Sequence, residues 1–255
     1  MSDFDRNLTA RSGYRTDQVA IDAGLRAYMI RVYNYMASGV ALTGVVAWLT
    51  FREAGGDAIQ VSGGRVTGLT SFGQAIFSGP LTIILLLGTL GMVFFLSFRI
   101  NRLQPSTALA LFMVYAGALG LVLSSVFVQY TASSVTQTFF VSAASFGALS
   151  LYGYTTQRDL SPVGSFLIMG LFGLILAMVV QYFLQSPGLS FAISAIGVLI
   201  FAGLTAWDTQ RIKEMYSVQD DGTVAGRKAV MGALSLYLDF INLFLFLLRF
   251  MGNRR

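Results

Sequence analysis

The stretch VMGALSLYLDFINLFLFLLRF, residues 230–250, is long and apolar enough to cross a bilayer as one helix, yet it carries an acid, Asp239, near its middle. An ionisable side chain at that depth costs at least about 2.5 kcal/mol even on lenient insertion scales, so it marks an ion path, a proton relay or a paired charge. No other acidic residue lies so deep in an apolar run of this chain. The question of function is therefore largely a question about the partner of Asp239.

Six further runs of comparable length precede it, at about 28–50, 80–98, 106–128, 135–154, 162–184 and 189–207. With 55% hydrophobic and 11% charged residues in 255, and a mean hydropathy of +0.68, the chain exceeds what a water-soluble core of this size needs. The runs are continuously apolar and lack the alternation of barrel strands, so helices are the way their backbones are satisfied in lipid. The expected fold class is all-α, a polytopic membrane protein of seven transmembrane helices. Residues 1–27 read as a polar cytoplasmic tail and residues 28–255 as the seven-helix domain. The tail has no apolar core like that of a signal peptide, so the first span is expected to direct insertion.

Lys and Arg set the orientation. One side holds Arg6, Arg11, Arg15 and Arg26, then Arg99, Arg102, Arg158, Arg211, Lys213, Arg227 and Lys228; the other holds Arg52 and Arg65. The positive-inside rule then puts the N-terminus in the cytoplasm. Seven crossings leave Arg254 and Arg255 outside, against that rule; a full crossing of the last helix is nonetheless favoured over a re-entrant one. The net charge of +5 and pI near 9.6 are assigned to lipid headgroups rather than nucleic acid, because the basic residues are dispersed among short loops.

The chain has neither His nor Cys. This removes imidazole bases, thiolate nucleophiles, His-ligated haem, zinc and iron–sulfur ligation, and disulfides. Serine-type intramembrane proteolysis loses its base, and a retinal Schiff base needs a lysine within a span, whereas both lysines read as loop residues. The chain is expected not to be an enzyme and to hold no tight cofactor. The glycine-rich segment 51–79 (Gly55, Gly56, Gly63, Gly64, Gly68, Gly73, Gly79) reads as an exposed flexible loop. Ala116 with Gly120 and Ala144 with Ala148 read as helix-packing surfaces.

At the end of the sixth run Asp208 directly follows Trp207, an aromatic suited to headgroup level. Alone, Asp208 reads as solvated or paired with Arg211 three residues on. On the last helix Ser235, Asp239, Asn242, Phe246 and Arg249 follow a four-three spacing and share one face, a polar stripe that should point inward. Should Asp208 reach Asp239, two carboxyls in a partly desolvated site would share one proton, and calcium, which favours hard oxygen ligands, would compete for the same atoms. The pair would then tie the sixth and seventh helices together. Arg99 or Arg102, on the same side, is a candidate latch or gate on Asp208.

The segments AWDTQRIK (206–213) and ALSLYLDFINLFLFLLRF (233–250) resemble the C-terminal signature of the transmembrane Bax inhibitor motif (Bax inhibitor-1) family in its bacterial branch. The resemblance implies six helices around the seventh, and a pH-dependent calcium leak with an aspartate pair, here Asp208 and Asp239, as proton sensor. It implies localisation to the bacterial plasma (inner) membrane, with the lipid bilayer, protons and calcium as partners and calcium as permeant or weakly bound ion. The alternative it leaves open is a non-conducting regulator that binds other membrane proteins, such as a quality-control protease.

Overall fold

The computed structural model describes residues 3–62 and 65–254, with the side chains of residues 3–22, 62, 65 and 101 outside that description. The charged side chains of most of the tail, Gly63, Gly64, the Arg65 side chain and Arg255 thus lie outside the described residues. The elements run α1 (Asp3–Glu53), a 3-10 turn (Gly56–Ala58), β1 (Gln60–Ser62), β2 (Arg65–Thr67), α2 (Ser71–Phe77), α3 (Pro80–Arg99), a 3-10 turn (Ile100–Arg102), α4 (Pro105–Leu123), α5 (Ser125–Gln129), α6 (Ala132–Thr155), α7 (Ser161–Leu184), α8 (Pro187–Glu214) and α9 (Gly222–Met251).

Local chemistry sets the helix starts. All four prolines of the chain, Pro80, Pro105, Pro162 and Pro187, stand in the first turn of a helix, where the missing N–H is no loss. Side-chain oxygens of Thr70, Thr131, Ser186 and Asp221 accept from backbone N–H groups three residues on, capping α2, α6, α8 and α9.

Among the described residues, six helices are long and apolar enough to cross a membrane: Ala23–Glu53, Pro80–Arg99, Pro105–Gln129, Ser161–Leu184, Pro187–Glu214 and Gly222–Met251. The expected count was seven. The missing one is α6, which at 24 residues has the length but carries Ser134, Thr138, Ser142 and Ser150 on its buried face, and this lowers its hydropathy. The most apolar stretch of α9 is 67% buried, against 11% for those of α3 and α7. Helices α1, α4, α6 and α8 pack on α9, while α3 lies chiefly on α4 and α7 on α8. α9 is one uninterrupted helix rather than a re-entrant hairpin. Its end is tied down at the start of α6, where Thr131 N–H donates to the Asn253 carbonyl (3.2 Å) and Asn253 N–H to Ser134 Oγ (2.9 Å).

Three expectations need correction. The first loop is structured: β1 and β2 form an antiparallel hairpin, Val61 opposite Val66, and α2 follows. Gly68 holds φ at 80°, with the Ala58 carbonyl where a β-carbon would stand, so the glycines serve the turns as well as exposure. Ala116 and Gly120 do face α1, but Ala144 and Ala148 are exposed. Both lysines lie in helices, Lys213 in the last turn of α8 and Lys228 in the second turn of α9.

Candidate functional site

Helices α8 and α9 are antiparallel, and two glycines set their register. Gly232 on α9 lies against Ile212, while Gly197 on α8 lies against the ring of Phe246, which also stacks on Phe201 at 5.6 Å. Residue numbers at each contact sum to nearly the same value, so Asp208 stands opposite residues 235–236. Asp239 is then about one turn away.

The carboxyls of Asp208 and Asp239 line the same cavity and are close enough to act on each other electrostatically. Asp239 is 5% exposed, and its Oδ2 is buried with no hydrogen-bond partner among the described residues. Asp208 is half-buried; Arg211 Nη1 lies 3.5 Å from its Oδ1, and the same guanidinium sits 5.4 Å from the ring centre of Trp207. The Trp207 ring fills the space left by the absent side chain of Gly164 on α7. The apolar runs put Asp208 at a helix end and the start of α9 at Val230 or earlier, inside the preceding loop. In the structure α8 continues to Glu214 and α9 begins at Gly222, so both acids sit inside helices.

A cavity of about 660 Å³ opens between α7, α8 and α9. Ser235, Asp239, Asn242, Phe246 and Arg249 line it from α9, with Asp208 and Arg211 from α8 and apolar residues such as Leu171 and Ile175 from α7. The polar stripe thus lies along a single hollow. Asn242 Nδ2 donates to the Leu238 carbonyl, and Arg249 Nη2 to Ser190 Oγ at 2.9 Å. Two carboxylates are few for calcium, which takes six to eight oxygens. No group of three or more His, Cys, Asp or Glu occurs among the described residues.

Arg99 and Arg102 are not brought to the pair. Both are exposed, at the end of α3 and in the turn after it, and neither forms an ion pair with Asp208. The side chains that fasten this end of the bundle are others. Arg227 Nε donates to the Leu103 carbonyl (2.6 Å), Lys213 Nζ to that of Tyr154 (2.9 Å), and Gln210 receives the Leu160 N–H while donating to the Arg158 carbonyl, both at 2.8 Å. Continuing the buried face of α8 past Trp207 to Thr209, Gln210 and Ile212 would have found Gln210; nothing in the sequence singles out Arg227. In the α6–α7 connection Asp159 accepts from the Ser161 N–H (2.8 Å), and hydrogen bonds from Ser161 hold its carboxyl below the usual range.

The family described as inhibitor of apoptosis-promoting Bax1 matches residues 25–255. An uncharacterized protein of Rickettsia prowazekii is 47% identical over 255 residues, covering 100% of both chains. One from Caulobacter vibrioides is 43% identical, also with full coverage of both. The inner membrane protein YbhL of Escherichia coli K12 is 44% identical over 236 residues, 91% of this chain and 94% of its own.

Proposed function

The chain belongs to the Bax inhibitor-1 family, and on that premise we propose that it is a pH-sensitive leak pathway for cations, calcium foremost, in the bacterial inner membrane. The N-terminus is cytoplasmic, α6 makes the seventh crossing, and the other helices surround α9. Asp208 and Asp239 form the gate. A proton between them, or a cation against both, ties α8 to α9; losing both leaves two negative charges facing each other in a partly desolvated site and drives the helices apart.

The observation that carries this reading is the buried Asp239 with one oxygen unsatisfied, facing a second carboxyl across a hollow lined by polar groups. A buried polar atom without a partner is costly in a static core and marks a place where a proton, ion or water belongs. Its role is non-catalytic. Calcium is cargo here, met by too few oxygens to be retained.

The test is calcium flux into proteoliposomes across pH. Wild type is expected to conduct with a titrating profile, and Asp239→Asn to give flux independent of pH. An unaltered profile in the variant removes the sensor. No flux from the wild type at any pH would leave the alternative, a non-conducting regulator of other membrane proteins such as a quality-control protease.

A further inference from the structure

At the end of the bundle away from Arg211 lies a second hollow, of about 400 Å³, in which polar groups converge from three helices: Gln181 and Gln185 at the end of α7, Ser190 and Ser194 on α8, and Arg249 and Arg254 at the end of α9. We infer that this hollow binds a phosphate-bearing anion, with the two arginines as its counter-charges.

Three features point the same way. Arg249 is half-buried and holds only the neutral Ser190 hydroxyl; Arg254 lies over the ring of Tyr130 at 6.0 Å, and neither pairs with a carboxylate among the described residues. Two guanidinium groups facing one hollow with no Asp or Glu among its described lining repel each other, and an anion removes that repulsion while taking up their fixed N–H forks. Gln181 Oε1 is buried with no hydrogen-bond partner among the described residues, and its amide, rotated by half a turn, presents N–H groups instead.

The position explains a charge pattern that the orientation rule leaves over. Arginines on the side that rule disfavours are tolerated where an anion meets them. The rim is apolar and aromatic: Phe191 lies tilted against Phe250, ring centres 5.3 Å apart, and Tyr182 and Phe183 stand exposed beside it. A polar hollow bordered by exposed rings matches a phospholipid, its phosphate on the arginines and its chains along the rings. Free inorganic phosphate offers the same charge without the chains.

Thermal unfolding of the full chain in neutral detergent distinguishes these sources. The protein is titrated with dioleoyl phosphatidylglycerol or inorganic phosphate, each against an equal amount of dioleoyl phosphatidylcholine. A saturable rise in midpoint is expected with phosphatidylglycerol, its half-point moved at least tenfold in Arg254→Gln and lost in Arg249→Gln/Arg254→Gln. Saturation by inorganic phosphate with the same arginine dependence would support the site and assign it to a soluble anion. A response to both no larger than to phosphatidylcholine, or one that Arg254→Gln leaves unchanged, overturns the inference. Arg254 is exposed, so its single variant retains the fold and keeps the test decisive.

Discussion

The Tyr237 phenol on α9 lies 2.7 Å from the Thr43 hydroxyl on α1, a bond between residues 194 positions apart. Tyr237 is wholly buried between the rings of Phe112 and Tyr115, and Thr43 also reaches the carbonyls of Gly39 and Ala116. Thr43 has one hydrogen to give, to a carbonyl, so Tyr237 is the donor. The two deletions should differ. Tyr237→Phe leaves no group orphaned and should cost about 1 kcal/mol; Thr43→Val strands a buried O–H and should cost about 1–3 kcal/mol. Thermal unfolding of both variants in the same detergent checks the order, and equal losses would contradict it.

The glycines that seat large rings should be intolerant of side chains. Gly164→Leu displaces Trp207, and Gly197→Leu displaces Phe246, each at a loss of about 1–3 kcal/mol from overpacking. Gly147 on α6 has open space where its side chain would be, so Gly147→Ala should be neutral or stabilising by up to about 1 kcal/mol through helix propensity. The contrast in midpoints among the three variants is the measurement.

Arg211 is the cation nearest the carboxyl pair, and its side chain is 44% exposed. Water screens such a pair, so Arg211→Gln should lower stability by less than about 1 kcal/mol. Its electrical effect is larger than its mechanical one. Without the guanidinium the pair keeps its proton to higher pH, and the flux profile in proteoliposomes should shift toward alkaline values with its amplitude retained.

An amide at position 239 mimics the proton-sharing state permanently. The wild-type thermal midpoint should fall as rising pH removes the shared proton and leaves two facing charges, while that of Asp239→Asn should be nearly flat over the same range. Parallel slopes would show that the acids do not sense each other.

Much of this was legible in residue order, for identifiable reasons. Apolar runs report helices in lipid directly, and the four-three spacing of Ser235, Asp239, Asn242 and Arg249 put them on the face that lines the hollow. α6 was read as a span, but its helix falls below the apolarity of the other six because its inner face is built of small hydroxyl residues. The end of α8 lies beyond its apolar run because charged and polar residues such as Gln210 and Lys213 read as loop, whereas their side chains hold neighbouring backbones and extend the helix; α9 begins inside the loop, the early start its span allows. Meeting of Asp208 and Asp239 depends on that extension and on the register set by Gly197 and Gly232, information that pairs of positions carry and single runs do not.

The helix with the most buried apolar stretch, α9, follows in the chain every helix that packs on it. During synthesis α1, α4, α6 and α8 therefore meet first without their common neighbour, through bonds such as Thr43 to the Ala116 carbonyl and Ser150 to Thr209. Closure of the bundle around α9 is then the last step that chain order allows, because the segment bearing Asp239 is the last of these helices to be made.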